Sequence, residues 1–169
     1  MISKPSLVAS CSCGSVKYEA AGAPILSVVC YCDDCQEGGR QIEALPNAAL
    51  VREPDGGTPY LLYRKDRFTC VGGDHLLQDL RIREGSATRR VVASCCNSGI
   101  FLDFEKGHWV SAYRGRFALD AAPPPQMRIQ TKFRSSDAEI PDDAPAYAAF
   151  PFNFIAKLVG ARIAMLLRL

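Results

Sequence analysis

The cysteines of this chain are gathered into short clusters, and that clustering constrains the fold more than any other feature. Eight of the 169 residues are cysteine, a smaller share than small disulfide-rich domains carry. Seven of them fall in three segments and Cys70 stands alone: Cys11 and Cys13, then Cys30, Cys32 and Cys35, then Cys95 and Cys96. Thiols grouped in this way favour metal or redox chemistry over disulfides when the compartment is reducing.

The N-terminal segment and the net charge limit the predicted cellular location and the classes of partner. Residues 1–10 contain no basic stretch followed by an apolar run, so we expect no secretory signal and a cytoplasmic location. The net charge is +2 at pH 7, which gives no strong basic field directed at nucleic acid or an acidic membrane. No uncharged apolar run reaches about 18 residues, so no membrane-spanning helix is predicted.

The hydrophobic pattern predicts a mainly β protein. Short alternating or apolar runs, bounded by glycine, proline and charged turns, are typical of strands. They cover residues 7–10, 15–20, 25–29, 60–64, 67–71, 76–83, 89–94, 99–104, 109–113 and 127–133. The intervening segment 36–59 holds two Gly-Gly pairs and three prolines, and is predicted to be irregular.

The segment 150–169 predicts a helix. It is mostly apolar, with a polar stripe at helical spacing formed by Lys157, Ala161, Ala164 and Arg168. We expect this helix to pack on the β domain or on a partner, including a second copy in a homodimer. Its basic residues leave an interfacial membrane helix as an alternative. The predicted organisation is a β domain over 1–120, a proline-containing connector over 121–149 and the helix over 150–169.

The second cluster, Cys30 to Cys35, has the spacing C-x-C-x-x-C. Zinc holds thiolates about 2.3 Å away in a tetrahedron, so three sulfurs must converge closely. Positions i, i+2 and i+5 of a bent segment can do this without distant residues. The fourth tetrahedral position is left to water, a protein ligand or a substrate, and an open position distinguishes catalytic from structural zinc. Buried inert thiols and a redox dithiol at Cys32 and Cys35 remain alternatives.

The first and third clusters are predicted to form a second site. Cys11 and Cys13 would supply two thiolates and Cys95 a third. A standard zinc knuckle reads Cys-x-x-Cys-Gly, but here Ser98 stands in the second position. Either Ser98 is a weak substitute, or Cys96 rotates in, or the site binds zinc poorly. A metal-free remnant and a strained disulfide between Cys95 and Cys96 are further alternatives.

Few other residues carry a chemical signal. Gly38 and Gly39 could let backbone approach a ligand, with Arg40 meeting a carboxylate. His75 and His108 are both predicted at turns, and neither is favoured as a metal ligand.

The order of these motifs resembles the glutathione-dependent formaldehyde-activating enzyme family, which includes centromere protein V-like proteins. The resemblance spans roughly residues 10–104. The segment Cys11-Ser-Cys-Gly-Ser-Val-Lys-Tyr-Glu19 is similar to the opening strand of that family. The segment Cys30-Tyr-Cys-Asp-Asp-Cys-Gln36 is similar to its catalytic-zinc array. Ser98, the loop after Cys35 and the tail after about residue 120 depart from the family pattern.

The resemblance implies an Mss4-like fold of folded antiparallel sheets, a β-tent, with two zinc positions. Cys30, Cys32 and Cys35 would hold the catalytic zinc, and Cys11, Cys13 and Cys95, or Cys96, the structural one. The implied chemistry is that of a carbon–sulfur lyase, in which glutathione and formaldehyde combine to S-hydroxymethylglutathione. Arg40, Arg64, Lys65 and Arg67 are candidate partners for the glutathione carboxylates by charge alone.

Two functions from different classes follow. The first is a zinc-dependent enzyme acting on a thiol–aldehyde adduct, with a small thiol or glutathione adduct as its partner. The second is a non-catalytic, zinc-stabilised binding module whose C-terminal helix contacts a partner. The sequence leaves open whether the protein is an enzyme.

Overall fold

The computed structural model describes residues 6–169, which form a mainly β protein. Across this range there are ten strands and two α-helices. The strands are β1 (Ser6–Ser10), β2 (Lys17–Ala21), β3 (Leu26–Cys30), β4 (Thr58–Arg64), β5 (Phe68–Gly72), β6 (Leu77–Leu80), β7 (Thr88–Ala93), β8 (Ser98–Phe104), β9 (Trp109–Tyr113) and β10 (Met127–Ile129). The helices are α1 (Asp33–Glu43) and α2 (Phe152–Leu166), and short 3-10 turns lie at Lys65–Arg67, Asp74–Leu76, Arg114–Arg116 and Thr131–Phe133.

The strands form two sheets. The smaller has the order β1-β2-β5, and the larger has the order β10-β3-β4-β9-β8-β7-β6. Neighbouring strands are antiparallel, with the exception of β10, which pairs in parallel with β3 at one edge. The mainly β class with a C-terminal helix is confirmed, and the parallel edge strand is an addition to the expected antiparallel arrangement.

One hydrophobic core lies between the two sheets. The smaller sheet contributes Tyr18 and Phe68, whose rings stack with centroids 4.7 Å apart. The larger sheet contributes Phe101, which meets Phe68 edge-on at 5.4 Å between centroids. These aromatic rings bury a large apolar area, and their preferred ring geometries favour one packing arrangement. This core joins the N-terminal cysteine segment to the middle of the larger sheet.

A second core covers the opposite face of the larger sheet. Strand β4 is buried on both faces because its side chains alternate with period two: Leu61 and Tyr63 join the first core, and Tyr60 and Leu62 the second. Both helices pack on this second face, α1 through Ile42 and α2 through Phe154 and Leu158. The candidate site lies in this second layer.

Helix α1 occupies part of the segment predicted to be irregular, so that prediction is wrong for residues 36–43. The glycines that suggested turns lie inside the helix because neighbouring side chains need their space. A Cβ atom on Gly38 would fall 1.8 Å from Nε of Arg90, and one on Gly39 would fall 2.6 Å from side-chain carbons of Arg52. Tertiary packing therefore overrides the weak helix propensity of glycine here.

Residues 121–149 are attached to the larger sheet. Strand β10 lies in this segment, and buried Arg128 on β10 forms ion pairs with Asp143 at 2.8 Å and with Asp55 at 3.2 Å. A parallel bridge joins Arg128 to Ala146. The division of the chain at residues 120 and 149 stays a prediction.

Helix α2 is shorter than the predicted 150–169 and contacts the protein along a narrow stripe. Phe154 and Leu158 are buried, whereas Phe152 is 86% exposed and Leu166 is 70% exposed. Neither α-helix within residues 6–169 has both the length and the apolar character that crossing a bilayer requires. The prediction about a secretory signal in residues 1–10 falls partly on 1–5, which lie outside the described residues.

Candidate metal centres

The second cysteine cluster lies where strand β3 passes into helix α1. Cys30 is the last residue of β3, Cys32 is the residue before the helix, and Cys35 is in its first turn. The amide of Cys35 donates to the carbonyl of Cys32 at 3.0 Å, which bends the chain back on itself. The three sulfur atoms all lie within 4.8 Å of one another. The expected convergence of this triplet is therefore present, and we refer to it as the buried thiol group.

The link between strand and helix is held by Gln36. Its side-chain amide donates to the carbonyl of Tyr31 at 2.6 Å and to that of Phe133 at 2.8 Å. Tyr31 in turn donates its hydroxyl to Asp55 at 2.6 Å. Buried polar groups with complete hydrogen bonding fix a unique local geometry. The hydrogen bonds of Gln36 and Tyr31 therefore fix the backbone that carries the three sulfurs.

The three thiols of the buried thiol group differ in how readily they ionise. Hydrogen bonds from Cys30 and Cys35 stabilise the Cys32 thiolate and lower the pKa of Cys32 to about 3. The hydrogen bond to Cys32 raises the pKa of Cys30 well above its ordinary value, and burial adds to that rise. Three thiolates this close repel one another in a buried site. A bound divalent cation offsets that repulsion and allows all three to ionise.

Donors without a partner surround the buried thiol group. Arg90 on β7 has no exposed surface, and its Nε and Nη1 atoms have no hydrogen-bond partner, while its Nη2 donates to the Asp34 carbonyl. The hydroxyls of Tyr60 and Tyr113 are also buried and unpartnered. Buried donors without acceptors are costly. Anionic sulfur around a metal would give this region the negative charge it lacks, so the residues present fit a thiolate-bound zinc.

A cavity of about 330 Å³ opens beside the buried thiol group. Strands of the larger sheet, helix α1 and helix α2 form its walls. The lining residues are Val28, Cys30, Cys32, Asp34, Cys35, Tyr60, Leu62, Thr88, Arg90, Leu102, Phe104, Trp109, Ser111, Ile129, Phe150, Phe154, Ile155 and Leu158. A concave, mostly apolar cavity with a few polar groups is the usual form of a small-molecule site.

The first and third clusters meet beside the first core, which includes Cys11 and contacts Cys96, and form what we call the surface thiol group. Cys11 and Cys13 come from the corner between β1 and β2, and Cys95 and Cys96 from the turn between β7 and β8. Sγ of Cys13 lies 3.3 Å from Sγ of Cys95, and Sγ of Cys11 lies 3.6 Å from Sγ of Cys13. All four sulfurs lie within 4.8 Å of one another. The structure therefore brings Cys96 into the place that the motif would give to residue 98.

Ser98 makes hydrogen bonds beside the surface thiol group. It is buried, and its hydroxyl accepts a hydrogen bond from the Ser12 amide at 3.0 Å while lying 3.1 Å from Sγ of Cys96. These contacts tie the two cysteine segments together. Cys95 and Cys96 are both free thiols, with sulfurs 3.9 Å apart, so the vicinal disulfide is not formed.

Arg40 is placed away from the cavity. It is an exposed residue near the end of α1 and forms an ion pair with Glu37. It lines a shallow surface depression with Ser135 instead. Its predicted contact with a ligand therefore has no support from its position and stays a prediction.

The histidines lie outside both thiol groups. His75 is exposed on a 3-10 turn, and a ring nitrogen of His108 lies 2.8 Å from the carbonyl of Leu158 on α2.

Sequence reasoning missed Arg90, Asp34 and Tyr60 as members of the candidate site. Arg90 gave one usable signal: it is a charged residue followed by the apolar run Val91 to Ala93 in a predicted strand. A charged side chain in such a strand is often buried against a partner. Asp34 and Tyr60 gave no signal, because their role depends on α1 and on the two-sided burial of β4.

Residues 6–50 match the model of the family described as glutathione-dependent formaldehyde-activating enzyme. No curated protein matches the chain. Among solved structures, a crystal structure of a Rhodobacter sphaeroides protein, a Northeast Structural Genomics target, is similar with a TM-score of 0.45 and 14% identity, over 69% of this chain and 91% of that one. The family match covers the first two cysteine clusters, so this part of the chain is similar to the glutathione-dependent formaldehyde-activating enzyme family.

Proposed function

We propose that the protein is a zinc-dependent carbon–sulfur lyase-like enzyme that acts on a thiol–aldehyde adduct. The observation that carries this proposal is the buried thiol group, whose three sulfurs lie within 4.8 Å of one another and line a cavity of about 330 Å³. A metal held by protein ligands beside a cavity can reach a substrate. The family match adds the thiol–aldehyde class of substrate, with S-hydroxymethylglutathione as the first adduct to test.

Cys30, Cys32 and Cys35 would hold the metal, and this chain offers no fourth metal-ligating side chain in that group within residues 6–169. Zinc bound there would supply a Lewis acid that stabilises a substrate sulfur as its thiolate. Three thiolates around a divalent cation leave a net charge of minus one. The buried guanidinium of Arg90 compensates that charge.

Asp34 is the carboxylate among the residues that line the cavity within the described chain. It lies in the first turn of α1, with its Oδ1 atom 3.3 Å from Nη1 of Arg83. We propose that its carboxylate accepts the proton of the adduct hydroxyl. When that proton passes to Asp34, the oxygen lone pair forms the carbonyl bond, the carbon–sulfur bond breaks and its electron pair leaves with sulfur. The reverse steps form the adduct from thiol and aldehyde.

The surface thiol group would hold a second zinc with a structural role. Four cysteine sulfurs fill a tetrahedron and leave no position for a substrate. Metal binding there would add to folding free energy because it joins the N-terminal strands to the β7–β8 turn. Free thiols at both groups need a reducing compartment, which supports a cytoplasmic location as part of this proposal.

The test compares Asp34→Asn with Asp33→Asn in zinc-loaded protein. Both residues lie in the same helical turn, but Asp33 does not line the cavity. Formaldehyde release from the thiol–aldehyde adduct that the unaltered protein cleaves fastest should fall by about 10²- to 10⁴-fold in Asp34→Asn. It should change less than about twofold in Asp33→Asn, which touches no reacting group. Full zinc content with no turnover of any thiol–aldehyde adduct would contradict the proposal.

A second candidate function is a zinc-stabilised binding module. The observation that favours it is the exposed apolar surface of α2, where Phe152, Val159, Ile163 and Leu166 are all more than half exposed. An apolar surface of this kind often binds a partner or a second copy. Sedimentation of Leu166→Glu beside the unaltered chain tests it: a dimer or partner complex that survives this substitution contradicts a role for this face.

A further inference from the structure

We infer that the cavity beside the buried thiol group takes an adduct whose thiol or aldehyde portion is apolar and compact, and not the charged tripeptide glutathione. This inference rests on the proposed function and narrows its substrate class. It is drawn from the chemistry of the cavity walls, from the positions of the basic residues and from the contribution of helix α2.

The cavity walls are predominantly hydrocarbon. Leu62 and Leu102 come from the larger sheet, and Phe154, Ile155 and Leu158 come from α2. Outside the cysteines, the few polar lining residues are Asp34, Tyr60, Thr88, Arg90, Trp109 and Ser111. A ligand buried among such walls gains affinity in proportion to its apolar surface, at about fourfold for each additional methylene.

Glutathione would bring charges that this cavity does not match. At neutral pH it carries two carboxylates and an ammonium group, and each needs a partner when it leaves water. Arg90 is the cation among the lining residues of the described chain, and its Nη2 atom is already bound to a backbone carbonyl. One guanidinium that also compensates the thiolates cannot satisfy two further carboxylates.

The basic residues with the charge to bind glutathione are engaged elsewhere. None of them lines the cavity, and each forms an ion pair or a hydrogen bond with another part of the chain. The pairs are Arg40 with Glu37, Arg64 with Asp66, Lys65 with Asp103, and Arg67 with the carbonyl of Leu169. The positions of these four residues therefore give no support to the carboxylate contacts predicted for them from charge alone.

Helix α2 makes the cavity apolar and is itself held in place. The ring nitrogen of His108 lies 2.8 Å from the Leu158 carbonyl, and the rings of Phe150 and Phe154 stack at 4.9 Å between centroids. Residues 6–50, which match the family, include none of α2. The side chains that set the preference thus come from a part of this chain outside that match.

Trp109 provides a direct measurement of binding. It is the single tryptophan of the chain and it lines the cavity. We would titrate zinc-loaded protein with ethanethiol, propanethiol, butanethiol, benzyl mercaptan and glutathione, and record tryptophan fluorescence. Affinity should rise by about fourfold per methylene along the alkanethiols, until the cavity is filled. Glutathione should bind at least about tenfold more weakly than butanethiol.

Two isoleucines of α2 provide a matched pair of variants. Ile155 lines the cavity and is 45% exposed, whereas Ile163 is 52% exposed and does not line it. Both positions are exposed enough to accept lysine without loss of the fold. Ile155→Lys should weaken butanethiol binding by about tenfold or more, because a charge then faces the apolar walls. Ile163→Lys should change it by less than about twofold.

The outcomes separate this inference from the proposed function. Tighter binding of glutathione than of any alkanethiol, or equal losses in Ile155→Lys and Ile163→Lys, overturns the inference. Cleavage of S-hydroxymethylglutathione without any preference for alkanethiols keeps the proposed function and also overturns the inference. A rising alkanethiol series with no cleavage of any adduct supports the apolar character of the cavity and removes the proposed function.

Discussion

The two thiol groups of this protein consist of the same side chain but differ in ligand number and in surroundings. The surface thiol group brings four sulfurs from two distant segments together, with Cys13 and Cys95 exposed. The buried thiol group takes three sulfurs from one short segment, with Cys30 and Cys35 buried next to a cavity. A complete tetrahedron suits a structural metal, whereas three ligands beside a cavity suit chemistry. The number of ligands and the space beside them separate the roles.

The surroundings of the two groups differ as strongly as the ligands. Short polar contacts surround the surface group: Ser15 hydrogen bonds to Cys13, lowering its pKa to about 6, and Arg116 donates to the Ser12 hydroxyl at 2.9 Å. Around the buried group lie unpartnered donors of Arg90 and Tyr60 and the apolar walls of α2. The contacts at the surface group hold two chain segments together. The donors at the buried group can bind anionic sulfur ligands.

The largest expected effect is on the buried group. Cys32→Ser removes one of three ligands, so adduct turnover should fall by at least about a hundredfold. Zinc content should fall by one ion per chain, because the four sulfurs of the surface group are untouched. Atomic absorption and formaldehyde release measure both. Cys70→Ser is the matched control, since Cys70 belongs to neither group; equal losses in the two variants would refute the distinction.

The next effect tests the guanidinium beside the buried group. Gly38→Ala places a Cβ atom where Nε of Arg90 lies, at 1.8 Å, so the guanidinium must move. Zinc affinity at the buried group should fall by about 10- to 100-fold, as for other residues that support metal ligands. Gly160→Ala is the control, because that helical position has open space and should gain up to about 1 kcal/mol of stability. Competition with a chromophoric chelator measures the affinity.

The surface group should respond in stability instead of activity. Cys96→Ser should remove its zinc and lower stability by about 3 kcal/mol, or roughly 6–12 °C in Tm. Turnover per folded molecule should stay within about twofold, since the cavity lies elsewhere. Ser98→Ala should keep both zinc ions. Zinc loss in Ser98→Ala but not in Cys96→Ser would show that Ser98 is the ligand.

The smallest effect concerns an ion pair that belongs to neither group. Burial opposes ionisation of Asp103, but hydrogen bonds from Lys65 and Arg89 outweigh it and hold its pKa below the ordinary value. Its stabilisation is therefore present above about pH 4 and is lost as the pH falls through the lower folded pKa. Asp103→Asn should cost about 1 kcal/mol at pH 7 and less at pH 3.

Denaturant unfolding at the two pH values measures this difference, with zinc content as the second readout. Asp79→Asn is the control, because Asp79 pairs with the same arginine at an exposed position. A change in zinc content in Asp103→Asn would mean that the ion pairs also support a metal site, and would weaken the separation between stability and metal binding.

The sequence was informative where the chemistry is local. The triplet from Cys30 to Cys35 was predictable because its three ligands lie within six residues. The strands were predictable because alternation and turn residues mark them, and each predicted strand overlaps an observed one. The sequence does not decide between Cys95 and Cys96 as ligands, because the choice between adjacent thiols depends on how the turn between β7 and β8 is folded.

Helix α1 and the cavity were not predictable from the sequence for a related reason. Gly38 and Gly39 indicated a turn, but they are small because Arg90 and Arg52 pack against the helix. That requirement comes from residues on distant segments, which no local pattern contains. The apolar walls contributed by α2 likewise depend on where the helix packs, although the sequence predicted that this segment is a helix.

The β7–β8 hairpin belongs to both metal regions at once. Its turn carries Cys95 and Cys96, its first arm carries Arg90, and its second arm carries Leu102. Replacement of this hairpin by that of a relative would change the surface thiol group and the cavity beside the buried thiol group together. A redesign that replaces the whole of residues 88–104 must therefore keep both regions intact, although single side chains in either region can be changed separately.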